Sequence, residues 1–296
     1  MTYMKKGCWL PEGDTEGLVF VDTFNDFGEI EPHRYHLYVS LACPFAHRAL
    51  LVHSLLGLEE VISVSSVSPK RFDNGWAFDE EFSDPLFNAT HLQSIYTMAK
   101  PDFTGRITVP VLWDKKRQTI ASNDSAGIAH WLAQQWQCFA KNKIDLLPEV
   151  NEPSVSVLSD WINEKVNLGV YGAGFATEQA GYERAFESVF DALDLLELRL
   201  SNRIFLHGDS LTMSDIRLIP SLLRFDSVYY FHFKLNKKRI QDYHYLWRYC
   251  RAAMDIEAIA KTVYLEHIKA HYFYTHDHLN PSRIIPVGPD IDWRLS

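Results

Sequence analysis

Cys43 stands in the run Leu41-Ala42-Cys43-Pro44-Phe45-Ala46-His47-Arg48, where an alternating pattern gives way to a helical one. Pro44 suits the first position of a helix, because the N–H it lacks would have no partner inside the helix. A thiol at that junction faces the unpaired amides of the first turn and the positive end of the helix dipole. Both favour thiolate, so the pKa of Cys43 is expected below the ordinary value of about 8.5. The competing reading is a small buried apolar residue, a common role for a cysteine; placement directly before proline at a strand-to-helix turn favours the nucleophile. Ala46 occupies the place of a second cysteine, which argues against a dithiol couple of the Cys-x-x-Cys type.

The elements that must position this thiol can be read on either side of it. Tyr35, Leu37, Val39 and Leu41 alternate on one face of an expected strand over 35–41. A helix is expected over 45–56, ended by Gly57, and a second strand over 61–67. That βαβ unit implies parallel strands and a right-handed crossover. A longer connection over 68–105 contains a helix near 89–99. The run Arg106–Asp114 and the segment 118–121 read as a hairpin, and Ser122-Asn123-Asp124-Ser125 supplies capping chemistry for a helix over 126–136. The order βαβ then ββα is that of a thioredoxin-like fold. Pro110 interrupts a strand and admits two explanations: a cis Val109–Pro110 bond that turns the Val109 backbone toward the cysteine, or an edge strand. A lone thiolate on such a fold needs an external thiol to resolve its mixed disulfide, and glutathione is the obvious candidate.

The rest of the chain is helical in character. A linker is expected at 147–153. Beyond it Val155, Leu158, Trp161, Ile162 and Val166 follow the helical period, as do Phe186, Val189, Phe190, Leu193, Leu196 and Leu200. A capped helix is expected from Leu211 to about Val228 and another over 243–254, then an irregular tail over 265–296. The domain reading is a leader over 1–33, a thioredoxin-like domain over 34–146 and an all-α domain over 154–296.

Composition limits the function. Of 296 residues, 47% are hydrophobic, enough for packed cores, and the net charge of -9 argues against nucleic-acid binding. Four cysteines without framework spacing suit a reducing compartment. There is no apolar run of membrane-spanning length, and Pro11, Glu12 and Asp14 follow Lys5 and Lys6 where a secretory signal would be apolar. A cytoplasmic protein that engages no membrane is expected.

The whole resembles the glutathione transferases, and within them the xi class, the glutathionyl-hydroquinone reductases. The segments that carry the resemblance are Tyr35–Arg48, Gly75–Asp79, Gly105–Asp114, Gly169–Thr177, Arg224–Asn236 and His267–Gly288. The Cys-Pro-Phe-Ala run is shared with omega-class relatives; joined to Gly169-Val170-Tyr171-Gly172-Ala173-Gly174-Phe175-Ala176 and Arg224-Phe225-Asp226-Ser227-Val228-Tyr229 it is specific. The first thirty residues match poorly, and the region around 80–90 is shorter than usual. The resemblance implies reduction of a glutathionyl-hydroquinone with glutathione as co-substrate and no metal. By position Cys43 matches the nucleophile, and Trp76, Arg106, Val109, Asp124 and Ser125 match residues that hold glutathione. Tyr171, Tyr229 and Tyr272 match tyrosines that line the hydroquinone pocket. Asp124 replaces the usual Glu and is one methylene shorter. A homodimer built through the helical domain is expected on the same ground.

The residue types suit that chemistry. Arg106 can grip a carboxylate with two parallel hydrogen bonds, Asp124 can pair with the γ-glutamyl ammonium, and Ser125 can donate to a carboxylate. Each also has a plain reading: a solvated charge for Arg106, ordinary capping for Asp124 and Ser125, packing for Trp76 and the tyrosines. His267 and His271 stand four apart, with His276 and His278 close behind, but lack an obvious third ligand. They read as a solvated, partly packed tail. The rival functions are an omega-like thioltransferase or dehydroascorbate reductase, for which the three tyrosines would be dispensable, and a non-catalytic glutathione-fold module that binds a protein.

Overall fold

The computed structural model describes residues 3–10, 23–149 and 152–293; part of the expected leader, 11–22, lies outside them. The chain divides into two compact units, Met1–Lys143 and Ile144–Ser296.

In the first unit a four-stranded sheet runs β4-β3-β6-β7. Its strands are β3 (Tyr35–Val39), β4 (Ser63–Ser66), β6 (Val111–Asp114) and β7 (Thr119–Ser122). β3 is parallel to β4 and antiparallel to β6, and β6 is antiparallel to β7. Helix α1 (Pro44–Leu56) makes the crossover and ends at Gly57, whose φ of 66° is the left-handed conformation glycine tolerates. Helix α2 (Leu92–Ala99) lies in the longer connection, and α3 (Ser125–Gln135) follows β7 and packs on α1. This is the expected thioredoxin-like order, with two differences. The expected strand over 106–114 is broken, because Val109–Pro110 is cis and Pro110 has no N–H for a ladder. Its first part, β5 (Gly105–Arg106), joins a separate sheet instead. That sheet contains β1 (Tyr3–Lys5) and β2 (Cys8–Leu10), a hairpin turned by Lys6 and Gly7 at positive φ of 50° and 74°.

All five residues of β3 are buried, so the alternation Tyr35, Leu37, Val39 describes only one of two covered faces. On the other face His36 has both ring nitrogens bonded, Nδ1 to Ser63 Oγ at 2.7 Å and Nε2 to Ser65 Oγ at 2.8 Å. Tyr38 donates to Asp84 at 2.8 Å. At the strand's start Arg34 grips Asp114 through Nε and Nη2, the closer contact at 2.6 Å, and Arg117 Nε adds a bond to Asp114 at 2.7 Å.

The second unit is helical. It comprises α4 (Glu152–Ile162), a π-helical stretch Asn163–Leu168, α5 (Gly169–Gly174), α6 (Gln179–Arg199) and α7 (Met213–Arg224). A second π stretch, Phe225–Tyr229, leads to α8 (Tyr230–His232), then α9 (His244–Met254), α10 (Glu257–Ala260) and α11 (Leu265–Thr275). Asp215 anchors α7: fully buried, it accepts from Thr212 N and Oγ1, Leu206 N and Tyr249 Oη at 2.8–3.1 Å. Helix α11 takes the first eleven residues of the tail expected to be irregular over 265–296, and residues 276–293 carry no helix or strand. Ile268 and Tyr272, four apart, pack inward, and His267, His271 and His276 are buried with them. Polar residues at inward positions had masked the helical period.

Two buried histidines set an acid sensitivity. Burial, aided by the nearby Lys115 charge, pushes His36 down to about 4, and burial with the Lys234 and His278 charges does the same for His232. Above pH 6.5 each is neutral whether the chain is folded or not. Between pH 6.5 and 4 the unfolded chain takes up protons that the folded chain refuses, so stability falls by up to roughly 3 kcal/mol per histidine. Burial would raise Asp114, but its bonds to Arg34 and Arg117 prevail and hold it at about 2; its contribution is lost between pH 3.8 and 2. Urea midpoints measured across pH 7 to 3 should therefore decline from pH 6.5 downward, and a flat curve to pH 4.5 would contradict the burial of these rings.

Candidate active site

Cys43 is the N-cap of α1, in extended conformation with φ -75° and ψ 120°, and Pro44 opens the helix. Its carbonyl accepts from His47 N at 3.0 Å, the first bond of the helix, and its own N–H goes to Ser40 O at 3.0 Å. Sγ is half-buried and lies 4.0 Å from the carbonyl oxygen of Val109, the residue before the cis proline. The two features that flank Pro110 and Pro44 are thus brought together within the first unit.

The remaining residues of that unit fall at identifiable places. Asp124 is the N-cap of α3: Oδ1 accepts from Ala126 N at 3.1 Å and Oδ2 from Gly127 N at 2.9 Å. Each oxygen keeps a second lone pair, so capping and the binding of a cation are compatible at this exposed side chain. Gly127 gives the cap room, since a Cβ there would stand 2.9 Å from Asp124 Oδ2. Ser125 is half-buried at the first position of α3. Arg106 is exposed on β5, opposite Tyr3 in the small sheet. Trp76 is buried, its ring 5.6 Å from the Arg71 guanidinium and its carbonyl bonded to Leu92 N at 2.9 Å.

In the second unit the three selected tyrosines form one chain of hydroxyls. Tyr171 Oη is 2.6 Å from Tyr272 Oη, which is 3.2 Å from Tyr229 Oη. Tyr229 and Tyr272 are buried, whereas Tyr171 is partly exposed. Each phenol can both donate and accept, so the three are joined through their hydroxyls. Burial, followed by the neighbouring Tyr171 and Tyr229, raises Tyr272 well above the ordinary phenol value, so it is neutral at pH 7. Phe233, which sequence reasoning missed, stacks on Tyr229 with centroids 5.4 Å apart. Its signal was Gly174: a Cβ there would stand 2.3 Å from the Phe233 ring.

Comparisons with known proteins identify the two units. Residues 42–135 match the glutathione S-transferase N-terminal domain family and residues 179–252 the C-terminal domain family. Glutathionyl-hydroquinone reductase YqjG of Escherichia coli is 46% identical over 268 residues, 88% of this chain and 82% of that protein. PcpF of Sphingobium chlorophenolicum, of the same name, is 45% identical over 88% of this chain and 84% of its own. The chain belongs to the glutathionyl-hydroquinone reductase family, the xi class of glutathione transferases. Its backbone matches the xi-class transferase of Natrialba magadii with a TM-score of 0.95 at 39% identity, covering 100% of this chain and 96% of that one. The glutathione-bound structure of YqjG follows at 0.89 and 42% identity, covering 98% and 96%.

This xi-class chain contains, among the described residues, no group of three metal-ligating side chains placed to hold an ion, and no helix long and apolar enough to cross a membrane. The substitution at Asp124 separates two duties of one side chain. Asp124→Ala should lower stability by about 1 kcal/mol through loss of the cap, while Asp124→Asn, which caps as well, should leave it within a few tenths. Chemical denaturation of the two variants checks this; equal losses would show that charge, not capping, stabilises the start of α3.

Proposed function

We propose that this chain reduces glutathionyl-hydroquinones to hydroquinones through a Cys43–glutathione mixed disulfide, with a second glutathione releasing glutathione disulfide. The observation that carries the proposal is the half-buried Cys43 thiol at the start of α1, 4.0 Å from the Val109 carbonyl beside the cis proline. The helix end stabilises the thiolate, and an extended peptide such as glutathione can pair with the Val109 backbone. Trp76, Arg106, Asp124 and Ser125 hold the rest of the tripeptide in this reading, two of them by charge.

An aryl thioether resists a thiolate, since attack at sulfur would expel an aryl carbanion. The keto tautomer of the hydroquinone, with a proton on the sulfur-bearing carbon, removes that obstacle. Cys43 Sγ then bonds to the glutathione sulfur, and the electrons of the breaking S–C bond pass to the ring as an enolate. Proton transfer restores the hydroquinone. Glutathione thiolate next attacks the glutathione sulfur of the mixed disulfide, forming glutathione disulfide and regenerating the Cys43 thiolate. The ring needs neutral hydrogen-bond donors for its oxygens, and the linked phenols of Tyr171, Tyr272 and Tyr229 are donors of that kind. We read the protein as a cytoplasmic homodimer, the location on its reducing-compartment cysteine pattern and the dimer on its family.

Protein incubated with glutathione disulfide should gain one glutathione, on Cys43, as read by mass spectrometry. Cys43→Ala should lose reductase turnover entirely; full turnover in that variant would reject the mechanism. Tyr171→Phe should slow glutathionyl-hydroquinone reduction about 10- to 100-fold yet leave turnover of a simple glutathione mixed disulfide unchanged. Equal turnover of both substrates in Tyr171→Phe and the parent would point to an omega-like thioltransferase instead.

A further inference from the structure

Arg48 occupies the fifth position of α1 and is 3% exposed. Side chains on a helix lean toward its N-terminus, and this one does: its guanidinium carbon lies 4.6 Å from the Phe45 ring centroid, one turn earlier. From there Nη1 reaches Ser125 Oγ, at the first position of α3, at 3.5 Å. A guanidinium stays charged at any pH the fold tolerates. A permanent positive charge is therefore buried beside the starts of two helices, each already carrying about half a positive charge. Helix starts favour anions, and the guanidinium holds the Ser125 hydroxyl at one of them.

The serine hydroxyl has one proton and can accept as well. By accepting from Arg48, Ser125 Oγ is left with its proton to donate elsewhere. The geometry points to Arg48 as a positioning residue for glutathione: it sets the Ser125 hydroxyl as an outward donor for the γ-glutamyl α-carboxylate. The inference rests on the reading that glutathione binds the first unit, and adds a buried residue absent from the set carried over by resemblance.

The test compares two unreactive ligands by calorimetry on the whole protein: S-methylglutathione, and its analogue with 4-aminobutyryl in place of γ-glutamyl, which keeps the ammonium and lacks the α-carboxylate. Arg48→Met, which keeps the packing on Phe45, should weaken S-methylglutathione about tenfold and the analogue less than about twofold. Arg48→Gln, of similar length but uncharged, should show the same selectivity and serves if the methionine variant does not fold. With Ser125→Ala already present, Arg48→Gln should cost S-methylglutathione less than it does alone. Equal losses for both ligands would overturn the assignment, because a purely structural arginine would penalise them alike. A parent protein that bound neither ligand would overturn the glutathione reading itself, and this inference with it.

Discussion

The antiparallel register of β3 and β6 is the constraint on which the first unit turns. Tyr35 pairs with Asp114, His36 with Trp113, Leu37 with Leu112 and Tyr38 with Val111. Cys43 follows one end of this ladder and Val109 precedes it, so the approach of Sγ to the Val109 carbonyl is a consequence of the pairing. A slip of one residue would turn every side chain of β6 to the opposite face relative to β3. The bidentate Arg34–Asp114 pair pins the opposite end, with both side chains nearly inaccessible. Removing Asp114 would strip the buried Arg34 of its bidentate partner, at about 3–5 kcal/mol, whereas Asp114 without Arg34 would keep its bond to Arg117. Register, ion pair and nucleophile placement are one feature seen at three points.

The second unit solves a different problem: it must hold three phenols with their oxygens in a line. Both π-helical stretches adjoin them, Asn163–Leu168 ending three residues before Tyr171 and Phe225–Tyr229 ending on Tyr229. An extra residue in a helical turn rotates everything after it relative to the face before. Tyr171, just beyond the first stretch, and Tyr229, at the end of the second, meet at Tyr272 on α11. Gly174 completes the arrangement by admitting Phe233 against Tyr229.

This explains what could be read from the residues and what could not. The βαβ and ββα order was legible, because strand and helix periods alternate cleanly between Tyr35 and Trp136, and Cys43-Pro44 marked the junction. The cis bond at Val109–Pro110 remained one of two options, since a proline in a strand run reports a break without its geometry. The hairpin of β1 and β2 was missed although Lys6-Gly7 carries its turn signal; three-residue strands are too short to show a period. Helix α11 was missed because His267, Lys269 and His271 occupy inward positions that a hydrophobic pattern reserves for apolar side chains. The tyrosines were found only by resemblance, as π stretches break the regular period that would relate Tyr171 to α4 or Tyr229 to α7. Arg48 was overlooked because an arginine on a helix is ordinarily solvated, and burial is not written in its spacing.

A chain of net charge -9 must still attract glutathione, which is itself an anion. Global repulsion is weak at close range, because salt screens exposed charges beyond about 8 Å. What decides binding is the potential within a few ångströms of the ligand. In the proposed site the starts of α1 and α3 lie beside the Arg48 side chain. The single acidic side chain assigned to this ligand, Asp124, has both oxygens engaged by the amides of α3, which spreads its charge into the helix while leaving lone pairs for an ammonium. In that reading, two helix starts with one tempered carboxylate beside them suit a γ-glutamyl group, its carboxylate toward the amides and its ammonium toward Asp124. The shorter reach of aspartate fits this division: close to its own helix it caps well, and the longer glutamate usual at this position would cap less directly.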